Sequence, residues 1–255
     1  MKRFLIPIVV CVFTVFSFNA KAGPLVNSGG TAATPSVYKV IVEKIEFGKS
    51  DSTYFTFYTG STSLDIASVS AGETVANLGA GTEVPAGTYT TMRLTFSKNF
   101  TVKGSVSDAG SSLACQTSSS ASGTTTLSNV VMTDAEQSSS GASEQTISIP
   151  LDSGGTTVYD AMTSASITML NSSGTALSAW TAAADAASIR VEFTLPSSLV
   201  VTADSSVQPT MSVTFQVTSK LEFLTTGAGT CVVMNLPPVF TVTVNGNSSS
   251  FSPSL

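Results

Sequence analysis

From Val37 onward the sequence alternates apolar and polar residues with a period of two, in short runs separated by Gly, Pro, Asn and Ser. Successive side chains of a strand point to opposite faces, so this pattern buries one face of a sheet and gives a helix no continuous stripe. It predicts strands over residues 37–47, 53–58, 88–96, 100–106, 124–132, 145–151 and 165–170, and again over 188–195, 198–203, 211–217, 220–225, 231–235 and 239–244. The one helical candidate is the Ala-rich stretch 177–187. An isolated helix of that length is marginal in water, so it would need a sheet to pack on. About a dozen strands without intervening helices imply an all-β antiparallel sandwich or barrel with at most one short helix. The chain is long enough to bury its core as one domain.

The N-terminus follows a different logic. Lys2 and Arg3 precede an apolar run over residues 4–18, and Ala20-Lys21-Ala22 sets small residues at the two positions a signal peptidase reads. Residues 1–22 are therefore expected to be a cleaved signal peptide, leaving Gly23 as the mature start. A spanning helix needs roughly 20 apolar residues, more than this run supplies, so no membrane span is expected after cleavage. Cys11 lies inside the apolar run with Val12 and Phe13 behind it, which is the wrong setting for a lipid-anchored N-terminal cysteine. Residues 23–36, rich in Gly, Ser, Thr and Pro, read as a flexible leader.

Removing that segment changes the charge balance. Three of the 11 Lys and Arg leave with it (Lys2, Arg3 and Lys21) while all 16 Asp and Glu stay, so the mature chain carries 8 basic and 16 acidic residues. Such a chain repels phosphate backbones, which argues against nucleic acid as a partner. Charged residues are only 11% of the sequence, less than half the usual share, and hydroxyls supply the polarity instead. Exported β proteins carry surfaces of this kind.

Loss of Cys11 leaves Cys115 and Cys231 as an even pair in an oxidising compartment, where a disulfide is the ordinary outcome. Free thiols and intermolecular crosslinking are the alternatives. Zinc, a Ser-His-Asp triad and a Cys–His nucleophile all need imidazole, and the sequence has no His. Paired carboxylates can run glycoside hydrolysis without it, and the nearest pairs are Glu43 with Glu46, Asp134 with Glu136, and Asp204 with Glu222. None stands beside an aromatic groove signature, no Asp-rich calcium loop occurs, and no Gly-rich phosphate loop with Lys occurs. The expectation is a protein that is not an enzyme and uses no cofactor or metal.

Aromatic residues are the remaining candidates for binding. Tyr54, Phe55, Phe57 and Tyr58 put rings on both faces of one strand, which reads first as a strand buried on both sides and second as a stacking platform built on Tyr54 and Tyr58. Trp180, the single tryptophan, lies in the Ala-rich stretch and reads as a packing anchor before a ligand contact. After the turn Pro85-Ala86-Gly87, strand alternation sets Met92, Leu94 and Phe96 on the core face and Tyr89, Thr91, Arg93 and Thr95 on the other. Residues 107–128 are poor in apolar side chains and read as an exposed excursion.

The order of the Val/Ile-rich run 37–47, the aromatic strand 54–58, Leu64-Asp65-Ile66 and the segment VPAGTYTTMRLTF at 84–96 resembles a family of secreted bacterial β-sandwich domains with a transthyretin-like (prealbumin-like) fold, common on exported lipoproteins. The strands at 211–217 and 239–244 stand where that family has its last two. The likeness covers residues 37–104 and 188–244, and it implies that 105–187 is an insertion into one sandwich spanning 37–255. A Cys115–Cys231 bond would then pin the insertion to the sandwich. This chain departs from the family in lacking a lipobox and in carrying Gln216 where an acid is common. Composition and resemblance together imply an exported structural or adhesive protein of the periplasm, cell surface or medium, with self-assembly, another surface protein or a glycan as partner. The alternative is a secreted carbohydrate- or small-ligand-binding module.

Overall fold

A computed structural model describes residues 11–15, 30–68, 77–78, 82–107, 113–121, 123–127, 130–148, 151–152, 161–162, 165–177, 185–203, 211–227, 230–251 and 253–254. Its strands, in chain order, begin with β1 (Cys11–Val15), β2 (Thr31–Ala33), β3 (Val37–Gly48), β4 (Tyr54–Asp65), β5 (Asn77–Leu78), β6 (Gly87–Ser97) and β7 (Asn99–Lys103). The middle of the chain gives β8 (Ser105–Ser107), β9 (Ala114–Gln116), β10 (Thr124–Leu127), β11 (Val130–Ser138), β12 (Gln145–Ser148), β13 (Leu151–Asp152), β14 (Ala161–Met162) and β15 (Ala165–Leu170). There follow β16 (Ser188–Val201), β17 (Met211–Gln216), β18 (Leu221–Gly227), β19 (Thr230–Asn235), β20 (Val239–Val244), β21 (Asn247–Phe251) and β22 (Pro253–Ser254). No α-helix occurs among the described residues. The fold is all-β, sandwich-like and almost entirely antiparallel.

Three sheets share the strands. The nine-stranded sheet runs β12-β7-β3-β6-β16-β15-β14-β22, with β4 also pairing with β3; the five-stranded sheet runs β21-β20-β17-β1-β5. The eight-stranded sheet runs β2-β18-β19-β11-β9-β8, with β10 and β13 both on β11. Its end strands β2 and β8 lie against each other, so this sheet curls towards a barrel.

Alternation fills the core, with corrections at the bulges. On β3 the buried side chains are Tyr38, Val40 and Val42, and then Ile45 and Phe47, because a register shift between Val42 and Lys44 moves the core face from even to odd positions. On β6 the expected Met92 and Leu94 are fully buried, yet Tyr89 is buried with them instead of facing away. Its partner strand β16 slips between Thr194 and Leu199, where Pro196 offers no N–H to the ladder. That slip also joins the expected strands 188–195 and 198–203 into one. Between the nine- and five-stranded sheets Phe193 meets Phe240 and Phe251 at ring-centre distances of 5.4 and 4.6 Å. Tyr38 donates its hydroxyl to the Leu236 carbonyl at 2.9 Å, and burial pushes its phenol well above the usual range.

Several expectations are revised. The run 124–132 is a hairpin, with Leu127 opposite Val130, and 100–106 is divided between β7 and β8. Residues 107–128 do not form one exposed excursion: β9 runs through them, and Cys115, Gln116, Thr117 and Ser118 are buried. A polar network compensates, since Gln145 accepts from the Ser118 amide and donates to the Ala121 and Asp134 carbonyls. The segment expected as an insertion supplies strands to both the eight- and nine-stranded sheets. The leader is ordered where Thr31–Ala33 pairs with β18. Within 177–187, residues 178–184 lie outside the described residues, and the Ala187 amide bonds the Leu170 carbonyl. Of residues 1–22 the structure describes only Cys11–Val15, as a strand parallel to β17.

Candidate functional site

The nine-stranded sheet assembles one cluster of chemistry-bearing side chains on its face away from the core. Glu46, Arg93 and Glu192 stand in register across β3, β6 and β16. Arg93 Nε donates to Glu192 Oε2 at 2.7 Å, and the Tyr54 hydroxyl donates to Glu192 Oε1 at 2.7 Å. The Arg93 guanidinium lies 3.4 Å from the centre of the Tyr54 ring. Tyr54 reaches this position from β4 by crossing β3 at Gly48. A Cβ at Gly48 would stand 2.5 Å from a Tyr54 ring carbon, so the absent side chain makes the crossing possible.

The electrostatics follow from that packing. Partial burial works to raise the Glu192 carboxyl, but the hydrogen bonds from Arg93 and Tyr54 and the charge of Arg93 outweigh it and hold the group below its usual range. Glu192 is therefore ionised at neutral pH and has both oxygens engaged, which suits it to fix a ring and poorly to deliver a proton. The Glu192→Gln variant is expected to stay folded and to lose about 1 kcal/mol or less, as partly exposed ion pairs do. A depressed carboxyl contributes stability above the unfolded carboxyl range and loses it as pH falls through the lower folded value. Denaturant midpoints measured from about pH 6 down to about pH 2 should fall less steeply for Glu192→Gln than for the native chain. Parallel curves would contradict the arrangement.

Glu46 accepts from Lys44 at 2.6 Å, Ser188 donates its hydroxyl to Glu43, and Glu222 is fully buried on β18 while Asp204 lies outside the described residues. Asp134 and Glu136 pair with Val232 and Thr230 on β19. Among the described residues no three His, Cys, Asp or Glu side chains gather as metal ligands. No helix there is long and apolar enough to cross a membrane, which says nothing of strands.

Three concavities among the described residues bear on binding, and one of about 410 Å³ lies beside Glu192, between Thr91, Ser166 and Thr194. Between the nine- and five-stranded sheets, Val40, Phe96, Phe100, Ile167, Ile189, Val191, Phe215 and Phe240 line an apolar cavity of about 70 Å³, together with Asn235, Pro237 and Pro238. Drug-sized ligands occupy pockets of about 300–1,000 Å³, so this one is too small to hold such a ligand. A wider groove of about 470 Å³ runs over the five-stranded sheet between Thr214, Gln216, Thr241, Thr243, Ser248 and Ser250. Thr241 pairs with Ser250 at 2.8 Å and Thr243 with Ser248 at 2.7 Å, so cross-strand hydroxyls bond one another along it.

The aromatic candidates separate. Tyr54 is half-buried with Arg93 over its ring, and Tyr58 packs against the core with its hydroxyl on Thr62. Trp180 lies outside the described residues. The two rings therefore form no bare stacking platform. Arg93 and Glu192 were missed as partners of Tyr54; the sequence showed only that Arg93 faces away from the core.

Cys115 and Cys231 are joined, with Cα atoms 5.8 Å apart, inside the range a disulfide spans. They sit on β9 and β19, which flank β11, and the curl of the eight-stranded sheet brings them together. The bond thus ties together two strands that β11 separates in the sheet order. What fold and site define is an all-β, sandwich-like protein stapled by a buried disulfide. No protein family model, curated protein or solved structure matches the chain.

Proposed function

We propose that this chain is exported, loses residues 1–22, and works outside the cytoplasm as a non-catalytic structural or adhesive protein. The observation that carries the reading is the groove on the five-stranded sheet: it is lined by hydroxyls, one amide and apolar carbons, with no titratable side chain. Such a surface offers many neutral donors and acceptors to another polar surface and nothing to drive a reaction. The engaged states of Glu43, Glu46 and Glu192 support the same conclusion. The disulfide agrees with an oxidising compartment.

The groove gives the test. Thr243→Lys and Ser248→Lys each replace an exposed hydroxyl by a charged stem without touching the core. If the groove is a contact surface, these variants lower retention on the producing cells, or lower the mass of assemblies seen by size exclusion, at an unchanged melting temperature. A native protein that is strictly monomeric and leaves cells unbound would contradict the proposal.

A further inference from the structure

The strand β1 comes from the segment read as a signal peptide, yet it lies inside the five-stranded sheet. It runs parallel to β17, with Cys11 opposite Met211, Phe13 opposite Val213 and Val15 opposite Phe215. On its other side it pairs with β5, Cys11 facing Leu78 and Val12 facing Asn77, and this is the only pairing β5 makes among the described residues. Removal of residues 1–22 takes out a strand with neighbours on both sides. What remains is β21-β20-β17 with one edge of β17 unpaired, separated from β5 by the width of a strand.

Such a gap is costly to leave open. About half the peptide groups of β17 lose their partners, and the strand carries the buried side chains Met211, Val213 and Phe215. Phe215 packs on Phe240, so the vacated place adjoins the aromatic contact between two sheets.

We propose that the mature chain has a strand-wide slot between β17 and β5, filled by an extended segment of a different protein that adds itself parallel to β17. The inference rests on the export reading above. The seated strand defines the occupant's chemistry: Cys-Val-Phe-Thr-Val is uncharged, free of proline, and rich in β-branched and aromatic residues. A second copy is a poor source. Its N-terminal residues Gly23 to Gly30 carry Pro24 and only the adjacent pair Leu25-Val26, and its Thr31–Ala33 is already paired with β18. The partner therefore contributes a strand that this chain lacks once it is processed.

Hydrogen exchange on the exported protein tests this. Intact mass is read first: a chain that retains residues 1–22 overturns the export reading, and the slot with it, before any exchange is measured. On the processed chain, the β17 amides facing the slot should exchange fast. A synthetic peptide of residues 8–18 carrying Cys11→Ser and a short lysine tail should slow them at least tenfold and raise the melting temperature, whereas the same peptide with Phe13→Asp should do neither. If the processed chain is unfolded alone, the first peptide should restore its β-sheet circular dichroism and the second should not. Amides of β17 already protected in the dilute processed chain, or unmoved by the peptide, overturn the slot. Protection that instead rises with protein concentration in the absence of peptide makes a second copy the occupant and overturns the assignment to a different protein.

Discussion

Replacing Cys115 and Cys231 together by alanine is expected to lower the unfolding free energy by about 4–5 kcal/mol. The bond closes 116 residues, and in the chain-entropy description a loop of roughly 100 residues is worth about 4.7 kcal/mol through the disorder it removes from the unfolded chain. A domain of ordinary stability holds about 5–15 kcal/mol in total, so this one change takes roughly a quarter of it or more. The location adds to the expectation: both cysteines are buried, and the bond ties β9 to β19 where the eight-stranded sheet curls. Urea midpoints of the double variant and of the reduced native chain should fall together. A loss under about 1 kcal/mol would show that the curl holds itself closed without the bond.

Phe193→Ala is expected to cost about 3–5 kcal/mol, the range for emptying a buried phenylalanine site. Phe193 lies on β16 in the nine-stranded sheet, yet its ring contacts are Phe240 and Phe251 on the five-stranded sheet, whose own rings stack at 5.1 Å. Its loss removes the aromatic bridge between two sheets and leaves a space beside a core that already holds an apolar cavity. Phe96→Ala makes the comparison: this ring lines the same cavity but is only half-buried, and its cost should be smaller. Equal costs would show that the two sheets are not joined through Phe193.

Most strands were legible because one face of each is apolar. Ala165–Leu170 and Val239–Val244 were read to the residue, the second because burial alternates cleanly along it and both because turn residues bound them. Strand β21 was missed, although Asn245 and Gly246, at φ 49° and 85°, form the kind of turn that Asn-Gly signals between two strands. Its sequence, Asn-Ser-Ser-Ser-Phe, presents hydroxyls where alternation needs carbon, and only Phe251 reaches the core. Strand β9 was hidden for a related reason. Gln116, Thr117 and Ser118 are buried by side-chain hydrogen bonds across the chain, as when Gln116 donates to the Gly141 carbonyl and Thr117 to the Ser143 carbonyl. Polar burial of that sort leaves no hydrophobic period to find.

Bulges account for the misplaced Tyr89. Alternation assigns faces correctly only while the register holds, and the slip of β16 between Thr194 and Leu199 lies beside it. The site shows the same limit at longer range. Arg93 and Glu192 are 99 residues apart, and their meeting with Tyr54 depends on the order of β4, β3, β6 and β16 and on a glycine at position 48. The cysteine pair was legible because Cys115 and Cys231 are the two cysteines left once residues 1–22 are expected to be removed, although free thiols and intermolecular crosslinking stayed open as alternatives. That its strands flank β11 in one curled sheet was not.

The central claim is an exported, disulfide-stapled β protein, and intact-mass analysis of the chain recovered from outside the cytoplasm, without reduction, tests it most directly. The expected mass is that of residues 23–255 with no acyl group, lighter by the two hydrogens lost in joining Cys115 to Cys231. A chain that keeps residues 1–22, or one that carries both thiols free, would contradict it.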